Sequence, residues 1–214
     1  MEYLPRDPAP RTRVYNLMDE GMSFKITVAL RARRVEKWIR TVKRDYLNNA
    51  PKKCVGLGYE FTDPREGNQR ASVLQLSVTS ENLVFQICRV DEVPQVLKEF
   101  LQDETIKFFG AAIGKDVEML SHHDIHITSV FDLQKILQNS TNNPILSLYD
   151  LANSIIRTNL EKNKRKKYKK KDVAEEKEEE LIFGWANVPL SYEKCAMPSW
   201  TLVWASRWLG VIGS

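Results

Sequence analysis

Three apolar segments of strand length, residues 54–61, 71–78 and 83–87, follow one another with only turn residues between them. The joints carry Asp63-Pro64, Gly67-Asn68 and Ser80-Glu81-Asn82. Such residues reverse a chain by fixing φ, by tolerating positive φ or by bonding their own backbone. Strands joined this closely pair as antiparallel neighbours. Further on the pattern changes. A helical period over residues 93–101 precedes a continuous apolar strand, 107–111. Gly114 then opens a helix that carries Asp116 to Leu120, and a short strand follows at 129–133. Upstream, residues 23–28 alternate as a strand does, and 35–46 form an amphipathic helix that Asn48-Asn49-Ala50-Pro51 ends. The spacing of Leu and Ile makes 146–156 helical. A last helix starts after Pro189-Leu190, with Ser191 as its N-cap. Antiparallel strands followed by alternating strands and helices predict an α/β fold, a mixed central sheet flanked by helices.

At 214 residues the chain has room for one such domain and is short for two. The expected layout is a flexible N-terminal arm over 1–22, then the domain over 23–210, interrupted by a charged, disordered loop at about 161–181. In that loop eight of the ten residues 162–171 are Lys or Arg, and 175–180 hold five glutamates and one lysine. Such blocks repel themselves and bury no apolar surface. Three readings stay open for them: a nuclear-import signal, a phosphate-seeking tether, or a solvated loop. The arm contains three prolines among mixed charges and no apolar core of the kind a secretion signal needs. The longest apolar stretches are strand-sized, so no membrane partner is expected. Cys54, Cys88 and Cys195 are odd in number and lack C-x-x-C spacing. They are expected to be reduced thiols in a protein of the nucleus or cytoplasm, not a secreted one.

Four segments in order carry a resemblance: Val55-Gly56-Leu57-Gly58-Tyr59-Glu60, Ala71-Ser72-Val73-Leu74-Gln75-Leu76, the run from Phe108 through Asp116 to Leu120, and Val130-Phe131-Asp132-Leu133. The helix at 146–152 and the stretch 185–209 continue it. Together they resemble the DEDDy-type 3′–5′ exonuclease domains of the RNase H-like superfamily, especially the Werner-type plant branch. The resemblance spans roughly residues 24–209 and implies an RNase H-like (3′–5′ exonuclease) fold.

It also implies a chemistry. Two divalent ions about 4 Å apart cleave the phosphodiester, one activating water and one stabilising the leaving oxygen. Dications that close repel by roughly 16 kcal/mol at an effective dielectric near 20, and carboxylates must offset this. The family supplies two from a D-x-E on the first sheet strand, where i and i+2 share a face. A third opens the helix after the central strand. The fourth is the Asp of a Y-x-x-x-D on the last helix.

Carried over residue by residue, the pattern is half kept. Glu60 is the glutamate of D-x-E, but Gly58 stands at the aspartate position. Asp116 matches the third carboxylate. Cys195 stands for the Tyr of Y-x-x-x-D and Ser199 for its Asp, with Pro198 between them. No Asp occurs after Asp172, so a slipped aspartate cannot replace the fourth ligand. Glu193 lies about 240° around a helix from Ser199, and Tyr192 falls almost a turn early. Pro198 inside a helix removes a backbone bond and costs about 3 kcal/mol.

The remnant carboxylates Glu60 and Asp116 are therefore expected to hold at most one Mg²⁺ or Mn²⁺, weakly, with phosphate oxygens completing the shell. The expected function is that of a 3′–5′ exonuclease-like domain, inactive or strongly impaired, that binds nucleic acid (a single strand or 3′ end) or a protein. One alternative is a working Mg²⁺/Mn²⁺ exonuclease; another is a protein–protein scaffold, such as a homodimer through the last helix. Asp132 reads as structural. His122, His123 and His126 read as a surface turn more than a zinc site. Trp185, Trp200, Trp204 and Trp208 read as core or interface residues more than base-stacking ones.

Overall fold

The computed structural model describes residues 12–19, 22–67, 70–90, 92–110, 113, 117, 119–120, 124–136 and 184–190. Its strands are β1 (Thr12–Asp19), β2 (Met22–Ala29), β3 (Lys53–Phe61), β4 (Ala71–Val78), β5 (Glu81–Phe85), β6 (Ile106–Gly110) and β7 (Val130–Asp132). Helix α1 (Ala32–Val42) runs into a wider turn, Lys43–Leu47, and α2 is Gln95–Gln102. Among the described residues the strands make one sheet in the order β1-β2-β5-β4-β3-β6-β7. β3, β4 and β5 are antiparallel neighbours, as the turn residues predict, whereas β3–β6, β6–β7 and β2–β5 are parallel. The expected mixed sheet with flanking helices is present.

The alternation of each strand decides what covers each face. Val55 and Leu57 of β3, Leu74 and Leu76 of β4, and Ile106 and Phe108 of β6 point one way. There they meet Val35, Trp38, Ile39 and Val42 of α1 and Leu97, Phe100 and Leu101 of α2. Phe100 and Phe108 meet edge to face at 5.8 Å, a geometry their ring quadrupoles favour. On the opposite face a smaller cluster joins Phe24, Ile26 and Val28 of β2 to Val73, Val84, Trp185 and Leu190. Every residue of β4 is buried, as befits a central strand covered on both sides.

One boundary is corrected. Residues 12–19, expected within a flexible arm, are the edge strand β1, paired in full antiparallel register with β2 from Thr12↔Ala29 to Asp19↔Met22. An edge strand need bury little, and Val14 is exposed. Apolar alternation, the usual strand signal, is therefore weak there. The loop at 161–181 and the helix at 146–156 lie outside the described residues. No helix among the described residues is long and apolar enough to cross a membrane.

Candidate functional site

Strand β3 places the candidate residues by parity. Val55, Leu57 and Tyr59 face the helices, so Gly56, Gly58 and Glu60 line the other face. Gly58 and Glu60 thus stand side by side, as a D-x-E requires, and Glu60 is half-buried. Across the β3–β4 ladder Gly56 faces Ser77, Gly58 faces Gln75 and Glu60 faces Val73. The register shifts immediately after Glu60, where Phe61 pairs with Ala71. A bulge of this kind turns a strand end and re-aims its side chains.

The residues opposite the glycines form a buried polar row. Gln75, Ser77 and Asn82 are each at most 3% exposed, and Asn82 continues the row because it pairs with Ser77. Among the described residues, Gln75 Nε2, Ser77 Oγ and Asn82 Oδ1 have no hydrogen-bond partner. The other end of Asn82 is engaged, its Nδ2 donating to the Lys25 carbonyl at 3.5 Å. A buried polar atom left unpaired costs about 1–3 kcal/mol. This polar row was missed in the sequence, although Gln75 and Ser77 alternating with Leu74 and Leu76 are visible there.

Beside β3, strand β6 brings Phe109 next to Gly56, and Phe109 stacks on Phe131 of β7 with centroids 5.2 Å apart. Lys107 Nζ lies 5.7 Å from the Phe131 centroid. Gly110 ends β6 where nothing larger fits. A Cβ there would overlap the Leu57 carbonyl oxygen and stand 2.8 Å from Ile113 Cδ1. This close approach locks the end of β6 against β3, one residue from Gly58. Burial pushes the Cys54 thiol above its ordinary pKa, against an opposing pull from Lys107. Cys54 and Cys88 are free thiols.

Of the sequence-predicted site residues, Gly58 and Glu60 are thus brought together. Asp116, Cys195 and Ser199 lie outside the described residues, as do Pro198, His122, His123, Trp200, Trp204 and Trp208. The flanks of Asp116 are described: Ile113 and Leu120 are buried, and the Val117 N–H donates to the Ile113 carbonyl at 3.2 Å. Asp132 accepts the Gln134 N–H at 3.0 Å and so caps the short turn after β7. His126 is exposed and 3.9 Å from Asp124, and Trp185 is buried in the second cluster. Among the described residues no three His, Cys, Asp or Glu side chains converge as a metal site would need.

A family model described as 3′–5′ exonuclease matches residues 36–180. Solved structures with the same architecture include Escherichia coli RNase D, described as an exoribonuclease involved in structured RNA processing. It is 14% identical with a TM-score of 0.64, and the match covers 90% of this chain and 44% of that one. The Aedes aegypti Nibbler EXO domain is 13% identical at a TM-score of 0.62, covering 92% of this chain and 94% of that one. Trypanosoma brucei RNase D in complex with RNA U12 is 17% identical at 0.62, covering 86% and 62%. The chain therefore spans less than half of the bacterial RNase D and nearly all of the Nibbler domain. None of the curated proteins compared matches the sequence. With the strand that presents Gly58 and Glu60 in place and more than half of its length matched, the chain belongs to the 3′–5′ exonuclease domain family.

Proposed function

We propose that this domain cleaves phosphodiesters weakly or not at all and acts by binding nucleic acid on an exonuclease framework. The observation that carries the reading is the pair Gly58 and Gln75. The D-x-E strand presents a hydrogen atom where a metal-binding aspartate is expected, and the residue directly opposite is an amide whose Nε2 lacks an acceptor. A buried amide N–H without an acceptor disfavours a neighbouring cation and favours an oxygen anion. Ser199 and Cys195, at the other two altered positions, support the same reading from the sequence. The carboxylates of Glu60 and Asp116 do not fit a two-ion clamp, because two dications need more negative oxygen than they supply. At most one Mg²⁺ or Mn²⁺ suits them, with the ligand's own phosphate oxygens. Nucleic acid is favoured as the ligand by the family and by the RNA-bound trypanosomal neighbour. The Werner-type placement rests on the four sequence segments, and nuclear residence on the lysine-rich run at 162–171.

The test is a degradation assay with a labelled single strand and a recessed duplex, with Mg²⁺ and with Mn²⁺. The expected result is no shortening beyond that of Glu60→Gln. Robust Mn²⁺-dependent shortening that disappears in Glu60→Gln overturns the proposal. The double variant Gly58→Asp with Ser199→Asp restores two carboxylates, and any metal-dependent nuclease activity should appear there and not in wild type.

A further inference from the structure

The segment from Arg31 to Asp45, which contains α1, carries more net positive charge than the chain as a whole. From Arg31 to Asp45 stand seven Arg and Lys residues against two carboxylates, a local excess of five where the entire sequence has four. Arg33, Lys37 and Arg40 follow at four- and three-residue steps, which places them on one face of the helix. That face lies opposite Val35, Trp38, Ile39 and Val42, which are buried against the sheet. Arg34 flanks the stripe, and Arg31 precedes it; all five cations are exposed.

Part of this charge is neutralised locally. Glu36 takes Arg40 at 3.1 Å, Asp45 takes Arg44 at 2.5 Å and Asp103 takes Lys43 at 3.4 Å. Among the described residues no carboxylate pairs with Arg31, Arg33, Arg34 or Lys37. These four crowd the start of α1, whose first turn has no acidic residue, although the helix dipole there favours anions and opposes cations. An ordinary solvated face mixes its signs. That of α2 does so, with Lys98 beside Glu99. Stability therefore does not account for the stripe.

We propose that the face of α1 formed by Arg33, Arg34 and Lys37 is a docking surface for the phosphate backbone of a nucleic acid strand. At 1.5 Å per residue along the helix axis, Arg33 and Arg34 lie about 1.5 Å apart and Lys37 about 4.5–6 Å beyond them, a step of one or two phosphates of a strand rising about 3.4 Å per nucleotide. The stripe lies on the helix side of the sheet, away from the face of Gly58 and Glu60. A strand bound here is anchored independently of the altered carboxylate site. The identity of the polyanion rests on the reading proposed above; the stripe itself rests on charge and exposure.

The test titrates the full chain against a labelled single-stranded oligonucleotide, and separately against phosphatidylserine vesicles, between about 50 and 200 mM salt. The triple variant Arg33→Gln, Arg34→Gln, Lys37→Gln is compared with wild type. Each phosphate contact on a single strand contributes about 0.7 to the slope of log K against log salt, so the slope should fall by about 2. Affinity at the lowest salt should drop about tenfold or more. An unchanged slope in the triple variant, with wild type still binding, overturns the stripe and leaves the nucleic-acid reading standing. No oligonucleotide binding by wild type overturns both, and stripe-dependent binding to vesicles alone overturns the choice of nucleic acid. The triple variant should melt at or above the wild-type temperature. If it fails to fold, Lys37→Gln alone should lower the slope by about 0.7.

Discussion

Gly58 and Gln75 are directly opposed across the β3–β4 ladder, and the Gln75 amide nitrogen, buried on the same face, has no acceptor among the described residues. Side chains opposed in an antiparallel pair have Cβ atoms about 4.5–5.5 Å apart, so a carboxylate at position 58 would be within reach of that nitrogen. The orphan amide is the complement of a group that the glycine lacks. Gln75→Leu in the wild-type background should therefore be neutral or stabilise by up to about 1 kcal/mol, since it removes an unpaired donor. In the Gly58→Asp background the same change should cost about 1–3 kcal/mol, because it removes a bond to a charged acceptor. A double-mutant cycle in urea reads the difference. Additive effects would show that Gln75 does not face position 58.

Gly110 makes a prediction about packing. Its Cα lies so close to the Leu57 carbonyl that a methyl group overlaps backbone, which cannot rotate aside as a side chain can. Gly110→Ala should destabilise by about 1–3 kcal/mol, the usual cost of forcing extra volume into a tight core. At about 2–4 °C per kcal/mol for a chain of this size, calorimetry should record a fall of several degrees. Gly67 is a control: a Cβ there meets nothing, although its φ of 125° is itself strained for an alanine. An alanine at position 110 tolerated without loss would mean that β6 and β3 are not locked at this point.

How much of this was legible in the sequence follows from what each residue buries. β4 and β6 were readable because their side chains are almost all core, and β3 through its buried centre, Val55 to Leu57; buried strands are written as apolar runs. Gly58 and Glu60 were placed side by side by parity alone, since a strand cannot do otherwise with i and i+2. β1 was not readable, because a pairing held by backbone bonds at a sheet edge leaves little trace in side chains. Nor did the sequence expose the polar row, since Gln75 looks like any solvent-facing residue until Trp185 and Leu190 are seen to pack on that face. The charge stripe on α1 could be counted, but its lack of partners depends on where Asp103 and Glu36 point.

Gln86 secures the segment that leads towards the last part of the chain. It is buried, and its Nε2 donates to the carbonyls of Trp185 at 3.3 Å and Asn187 at 2.8 Å. Arg89 adds a bond from Nε to the Ala186 carbonyl at 2.9 Å, on the surface. Gln86→Leu removes the donor from both acceptors and should cost about 1–3 kcal/mol; Arg89→Ala, exposed to water, should cost less than about 1 kcal/mol. Limited proteolysis should cut Gln86→Leu within 184–190 faster than wild type. Equal cutting rates would mean that packing of Trp185 alone holds the segment.

The last prediction concerns acid. Asp103 follows α2, where its Oδ1 accepts the Thr105 hydroxyl at 2.6 Å and the Thr105 N–H at 3.1 Å, while Oδ2 faces Lys43 Nζ at 3.4 Å. One carboxylate thus fixes the turn from α2 into β6 and ties it to the end of α1. The Thr105 hydroxyl holds the Asp103 carboxyl below its usual pKa; burial, next in size, opposes it, and the Thr105 backbone N–H and Lys43 add to the lowering. Because the folded value is depressed, the stabilisation is complete above the unfolded value, near about 3.9, and is lost as pH falls through the folded one. Asp103→Asn should therefore be less stable than wild type by about 1 kcal/mol at neutral pH. That gap should close as pH falls below the unfolded carboxylate value and through the depressed folded one. Thr105→Val should remove more of the pH-dependent gap than Lys43→Met, since the ammonium is farther away and 39% exposed, where water screens it. Urea unfolding across pH 2–7 orders the variants, and a larger effect of Lys43→Met would place the dominant interaction on the ion pair instead of the hydroxyl.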